Sequence, residues 1–192
     1  MRTPQETVET YIRAKDQNQP HLMQSAFAAD AKLEMVVNAG TISFPPICNG
    51  LQSISDVLVR RFAQTFENVR TFSLAPPPRN DEVNFSCGWL VGMSEKDSRA
   101  VRVGCGRYDW LFRRSSPCLA ERLTITIDVM ESIAASCLEP LISWFSPLSY
   151  PWCTPQAALE EVPTLEGLQP IRKYLTELLA LRSPSTFPPE RS

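Results

Sequence analysis

Hydrophobic positions at the start of the chain recur every three to four residues. Val8, Tyr11, Ile12 and Lys15 fall at i, i+3, i+4 and i+7, so one narrow face carries the contacts of a helix as far as Asp16. Thr3-Pro4-Gln5-Glu6 reads as a capping box with proline at the first helical position, so a helix should start there. Gln17-Asn18-Gln19 breaks the pattern. Pro20 then opens a short second helix, in which Leu22, Met23, Ala26 and Phe27 again sit three to four apart.

From Ala31 the period drops to two. Leu33, Met35 and Val37 alternate with Lys32, Glu34 and Val36, which predicts a first strand; Asn38-Ala39-Gly40 supplies a turn, and the chain should return through Thr41 to Phe44. Asn49-Gly50 ends the extended run. Helical spacing resumes in Ile54, Val57, Leu58, Phe62, Thr65 and Phe66, and the pattern is sheet-like from there to about Ser132.

Within that sheet Val83, Phe85, Cys87, Trp89, Val91 and Met93 share one face, which is expected to be buried. In the next strand Val101, Val103 and Cys105 keep one phase, and Tyr108, Trp110 and Phe112 take the opposite one across Gly104-Cys105-Gly106. This reads as a one-residue slip at glycine, a β-bulge that bends the strand. Leu119 to Met130 closes the sheet, with Leu123, Ile125, Ile127 and Val129 on a common side.

Beyond residue 137 the composition changes, because 9 of the 17 prolines lie there and separate short helical pieces at about 138–146, 155–161 and 170–181. Trp144, Phe145, Tyr150 and Trp152 form a dense aromatic group, with Leu141, Ile142, Ile171, Leu175, Leu178 and Leu179 on either side. So many apolar side chains must dock on something, either the mouth of a pocket or a dimer seam. The division expected is a domain at 1–133 and a helical extension at 134–192. The last ten residues, rich in Ser and Pro, should fray.

Composition narrows the function classes. A chain of 192 residues with 43% hydrophobic and 21% charged positions fits one soluble α+β domain plus an appendage. A net charge of −2 gives no pull toward nucleic acid or an anionic membrane. The six cysteines include no C-x-x-C pair and have one histidine, His21, to join them, which argues against a structural metal. No signal-peptide core or bilayer-length apolar run is present, so the expectation is a cytoplasmic protein with reduced thiols. Gly104-Cys105-Gly106 lies mid-strand rather than before a helix, and no nucleotide or other cofactor is indicated.

Three helices followed by a bent antiparallel sheet with a glycine bulge is the order of elements shared by nuclear transport factor 2, ketosteroid isomerase and the SnoaL-like polyketide cyclases. Residues 1–132 resemble that superfamily, through Tyr11-Ile12-x-Ala14, Phe27-Ala28-Ala29-Asp30-Ala31, Gly50-x-x-x-Ile54 leading into Leu58 and Phe62, and Gly106-Arg107-Tyr108-Asp109-Trp110. The resemblance implies an α+β cone in which the sheet wraps a pocket and the helices close its narrow end. It also implies a homodimer paired through the outer face of the sheet, and a small hydrophobic ligand. The tail beyond about residue 137 has no counterpart in the minimal fold.

Ligand contacts are then expected from Met35, Phe62, Trp89, Trp110 and Phe112, the plain alternative being that these residues only fill a core. Ketosteroid isomerases pair an aspartate base with an oxyanion hole of a tyrosine and a protonated aspartic acid. Tyr11 resembles the oxyanion tyrosine, although an aromatic on the apolar face of a helix needs no such role. The base position falls on Met35, which has no proton to exchange, and Glu34 should face the other way. The second acid falls on Tyr108 or Asp109, with alternation favouring Tyr108 inside. Asp30 reads as turn capping, Asp128 as solvated or paired with Arg122, and Cys87 and Cys105 as small hydrophobes. Two functions stay open: an enzyme doing proton-transfer or addition chemistry on a hydrophobic carbonyl compound through Tyr11, Tyr108 and Asp109, or a non-catalytic binding or dimeric assembly module.

Overall fold

The structure, a computed structural model, describes residues 2–182. The fraying expected of 183–192 lies outside those residues. Helix α1 (Pro4–Asp16) begins at the capping box: Thr3 Oγ1 accepts from the Glu6 amide, and the Glu6 carboxylate accepts from the Thr3 amide at 2.9 Å. A 3₁₀ turn (Pro20–Ser25) follows. Strand β1 (Phe27–Val37) starts four residues earlier than the alternation suggests, and Asp30 lies in it, paired with Arg113 rather than capping a turn.

The return strand is displaced. In place of Thr41–Phe44, the extended pairing is β2 (Ile47–Asn49), and residues 38–46 form an irregular strap. Pro45 and Pro46 lack the N–H groups a ladder needs, so pairing begins only after them. Next comes a helical run in three parts: α2 (Leu51–Ser55), a π-helical stretch (Asp56–Arg61) and α3 (Phe62–Thr65). Strands β3 (Phe66–Leu74), β4 (Asn84–Glu95), β5 (Val101–Phe112) and β6 (Ala120–Ile133) complete an open, curled sheet of order β2-β1-β6-β5-β4-β3.

Two expectations about the sheet are corrected. It is mixed rather than antiparallel, because β1 lies parallel to β6, from Lys32 opposite Arg122 to Val37 opposite Ile127. The long chain between them supplies the crossover that parallel neighbours require. Strand β5 also carries no slip: its register with β4 is unbroken from Ser94 opposite Val101 to Asn84 opposite Leu111. The bulge is on β6, where Cys105 faces Val129 and Gly106 faces Ile127, leaving Asp128 as the extra residue.

The glycine in β5 serves that bend from the other side. A Cβ at Gly106 would lie 2.0 Å from the backbone oxygen of Thr126, so β6 can approach this closely only opposite a residue without a side chain. Both phases of β5 are apolar because both faces of the sheet are buried. Tyr108, Trp110 and Phe112 point inward to the helices, and Val101, Val103 and Cys105 point outward.

What covers the outer face is the extension: α4 (Leu138–Phe145), α5 (Pro155–Glu160) and α6 (Gln169–Arg182). Leu141, Trp144, Phe145, Ile171 and Leu175 bury themselves against Phe72, Leu74, Leu90, Val101 and Val103, each worth about 2 kcal/mol in removed apolar surface. Trp144 Nε1 donates to the Ala158 carbonyl at 2.9 Å, and the Tyr174 hydroxyl donates to the Gly106 carbonyl. Trp144 and Phe145 therefore pack on the back of the sheet, whereas Tyr150 and Trp152 lie at the β3 edge, Tyr150 between Phe72 on the back and Asp16 of α1, and Trp152 against the inner core.

Candidate ligand cavity

The inner faces of β1, β4, β5 and β6 converge with α1 and the helical run on an almost wholly apolar cavity of about 50 Å³. Met35, Trp89, Val91, Ile125 and Ile127 line it from the sheet, and Leu58 and Phe62 from the helical run. Ile42 and Phe44, on the strap between β1 and β2, close it from the side and also line the groove outside. The strap is tied at three points: Asn38 N to Ile127 O (2.9 Å), Thr41 Oγ1 to Met130 O (2.6 Å) and Met35 N to Pro46 O (2.9 Å).

Tyr11 and Tyr108 meet at the base of this space. Their rings touch edge to face with centroids 5.9 Å apart, and their hydroxyls interact. Tyr11 is 1% exposed and also contacts Phe27 and Trp110 edge-on, at 5.8 and 5.3 Å. Burial raises both phenols well above the ordinary tyrosine range, so both remain neutral hydroxyls.

Of the residues anticipated from the sequence, Tyr11, Tyr108, Met35, Phe62 and Trp89 all line the cavity. Asp109 does not: it follows Tyr108 on the strand, points to the outer face, and is bound by Ser86 Oγ at 2.6 Å and Arg107 Nε at 2.8 Å. Trp110 and Phe112 point inward but lie beyond the lining, stacked on one another with centroids 5.7 Å apart. Glu34 faces outward, where pairing with Lys32 at 2.6 Å holds its carboxyl below the usual range. His21 is exposed, and Asp128 accepts from Asn38 Nδ2 at 3.0 Å rather than from Arg122. Burial pushes the Cys105 thiol up, as suits a small hydrophobe.

The sequence reading missed Lys15 and its partner. Lys15 Nζ reaches the cavity wall 5.0 Å from the centroid of the Phe62 ring, bonded to Asp16 Oδ1 at 2.8 Å and Thr71 Oγ1 at 2.6 Å. Asp16 also accepts from the Thr71 amide at 2.7 Å and hydroxyl at 2.8 Å, and from the Tyr150 hydroxyl at 3.1 Å. The signal was available, since Lys15 stands four residues after Tyr11 on the same helical face.

The polar inventory of the cavity is thus two neutral phenols and one ammonium already matched by a carboxylate. Trp89 adds an indole N–H without a protein acceptor. No Asp, Glu or His is in the lining, so no carboxylate or imidazole faces the space. Among the described residues, no group of three or more His, Cys, Asp and Glu side chains could hold a metal, and no helix is long and apolar enough to cross a membrane.

A curled open sheet, closed at its narrow end by helices around an apolar space, defines an α+β cone. That cone is the nuclear transport factor 2-like fold, the architecture also found in ketosteroid isomerase-like and scytalone dehydratase-like proteins. Among solved structures it is similar to a nuclear transport factor 2-like superfamily protein from Salmonella enterica serovar Typhimurium, with TM-score 0.54 and 14% identity over 65% of this chain and 88% of that one. Hexachlorocyclohexane dehydrochlorinase LinA-type3 from Novosphingobium barchaimii matches with TM-score 0.54 and 13% identity, over 68% and 87%. A putative scytalone dehydratase from Novosphingobium aromaticivorans matches with TM-score 0.50 and 12% identity, over 65% and 80%. No family model matches the sequence, and no curated protein does either. At these identities the likeness is one of fold.

Proposed function

We propose that the protein binds a small, neutral, largely apolar molecule in the cone and performs no proton-transfer chemistry on it. The observation that carries this reading is the lining: donors at one end, apolar walls elsewhere, and no group free to take a proton. General-base catalysis needs such a group within hydrogen-bond reach of the substrate. Met35 occupies the position where the family resemblance places the base, and Asp16 is engaged by four donors. The names of the structural neighbours, a dehydrochlorinase and a putative scytalone dehydratase, support a small molecule as the occupant.

Size sharpens the proposal. A cavity of about 50 Å³ is far below the roughly 300–1,000 Å³ of drug-sized ligand sites and below the roughly 150 Å³ that holds one benzene ring, so even a single-ring molecule enters only as the strap moves. Ile42 and Phe44 of the strap, with Phe62 of the helical run, separate the cavity from the outer groove at that side, and displacement of the two strap residues is the route in that we propose. The remaining parts of the proposal are a division into a cone (1–133) and an extension (134–192), and a reducing, cytoplasmic setting for the six thiols. The homodimer implied by the resemblance would need the outer face, which the extension occupies on β3–β5. On β1 and β2 the same face stays open, with Val36 and Ile47 exposed, and we propose that a homodimer pairs there.

Cyclohexanone, neutral and carrying one acceptor, is the test ligand. Titration followed by tryptophan fluorescence should show saturable binding that Tyr11→Phe weakens. A titration without saturation, or one indifferent to Tyr11→Phe, contradicts the proposal.

A further inference from the structure

The Lys15–Asp16 pair is buried, with 7% and 4% of the two side chains exposed. A carboxylate in such a place is stable only while its lone pairs are occupied, since a buried charge stripped of donors is costly. Three of the four hydrogen bonds to Asp16 come from α1 and β3, elements of the cone itself. The fourth comes from the extension: the Tyr150 hydroxyl, at 3.1 Å.

Tyr150 is held in place from both sides. Its ring meets Phe72 edge-on at 5.9 Å, and the Arg70 guanidinium lies 5.2 Å from its centroid. The residues that follow are clamped to β3, with Ser73 N donating to Pro151 O at 2.7 Å and Cys153 N to Ser73 O at 3.0 Å. Burial and the Asp16 carboxylate keep the Tyr150 phenol well above its ordinary range, so it remains a donor.

We infer that Tyr150 is a positioning residue of the cavity: its hydroxyl braces Asp16, and Asp16 holds the Lys15 ammonium at the cavity wall beside Phe62. Docking of the extension on the back of the sheet thereby sets the charge presented at the front. Undocking it loosens the lysine and alters the polar end of the cavity. The consequence for ligands rests on the cavity being the binding site, but the bracing does not.

Acetylation of the full chain by N-hydroxysuccinimidyl acetate, resolved lysine by lysine by mass spectrometry, reads the brace without any ligand. Lys32, Lys96 and Lys173 are accessible internal references. Tyr150→Phe keeps the ring and removes the donor, and should acetylate Lys15 about tenfold faster than the native chain, the scale of one hydrogen bond to a charged group. Trp152→Phe removes the 2.7 Å bond from Nε1 to Glu9 on the same segment without touching Asp16, and should leave Lys15 unchanged. Lys15 unaffected by Tyr150→Phe overturns the inference. So does equal acceleration in both variants, which would reduce Tyr150 to a general tether. A protein that fails to bind cyclohexanone still gives this labelling result, so the two proposals fail separately.

Discussion

All four tyrosines of the chain are shifted upward from the ordinary value of 10.0, chiefly by burial. The native protein should therefore show no tyrosinate absorbance step near pH 10, whereas the unfolded chain should. Because the folded values lie above the unfolded one, this contribution to stability is complete below pH 10 and is lost as pH rises through the folded values. A native-state step near pH 10 would mean that the phenols are solvated. Gly106→Ala should cost about 3 kcal/mol, because its methyl would meet the Thr126 backbone, whereas Gly40→Ala, with open space around it, should be near neutral in denaturant unfolding. At this scale the sequence was legible wherever parity decides orientation. Alternation chose Tyr108 over Asp109 correctly and turned Glu34 outward, but a lysine on an apolar helical face looked like its end rather than part of a cavity.

Among the elements, the strap and the bulge matter most for the cavity. Phe44→Ala removes a half-buried ring from the wall between cavity and groove. It should cost about 1–2 kcal/mol, below the range for a fully buried phenylalanine, while accelerating cyclohexanone association in stopped-flow fluorescence. A slower association would show that Phe44 is part of the seat rather than of the gate. The apolar pattern puts the bulge on β5 rather than β6 for a physical reason. Two-sided burial and a one-residue slip give the same apolar pattern, and only the register across to β6 distinguishes them. The parallel pairing of β1 with β6 was equally out of reach, since periodicity reports the face of a strand and not its neighbour. The capping box, by contrast, is local chemistry, and it marked the start of α1 to the residue.

For the molecule as a whole, the extension supplies a second core. Deleting residues 138–192 would strip Phe72, Leu74, Leu90, Val101 and Val103 of their cover, and should lower Tm or cause aggregation in light scattering. A truncated chain that stays soluble with unchanged Tm would show the extension to be dispensable. That the tail had to dock was evident from its own composition, but its target was not, because an outer face that reads as apolar fits a dimer partner as well as a tail. The central claim is that a small neutral molecule occupies the cone. Intermolecular NOEs between cyclohexanone and the protein methyl groups test this directly: contacts to the methyls of Met35, Ile125 and Met130 are expected. Contacts confined to Leu141, Leu175 and the outer core, or none at saturating ligand, would contradict it.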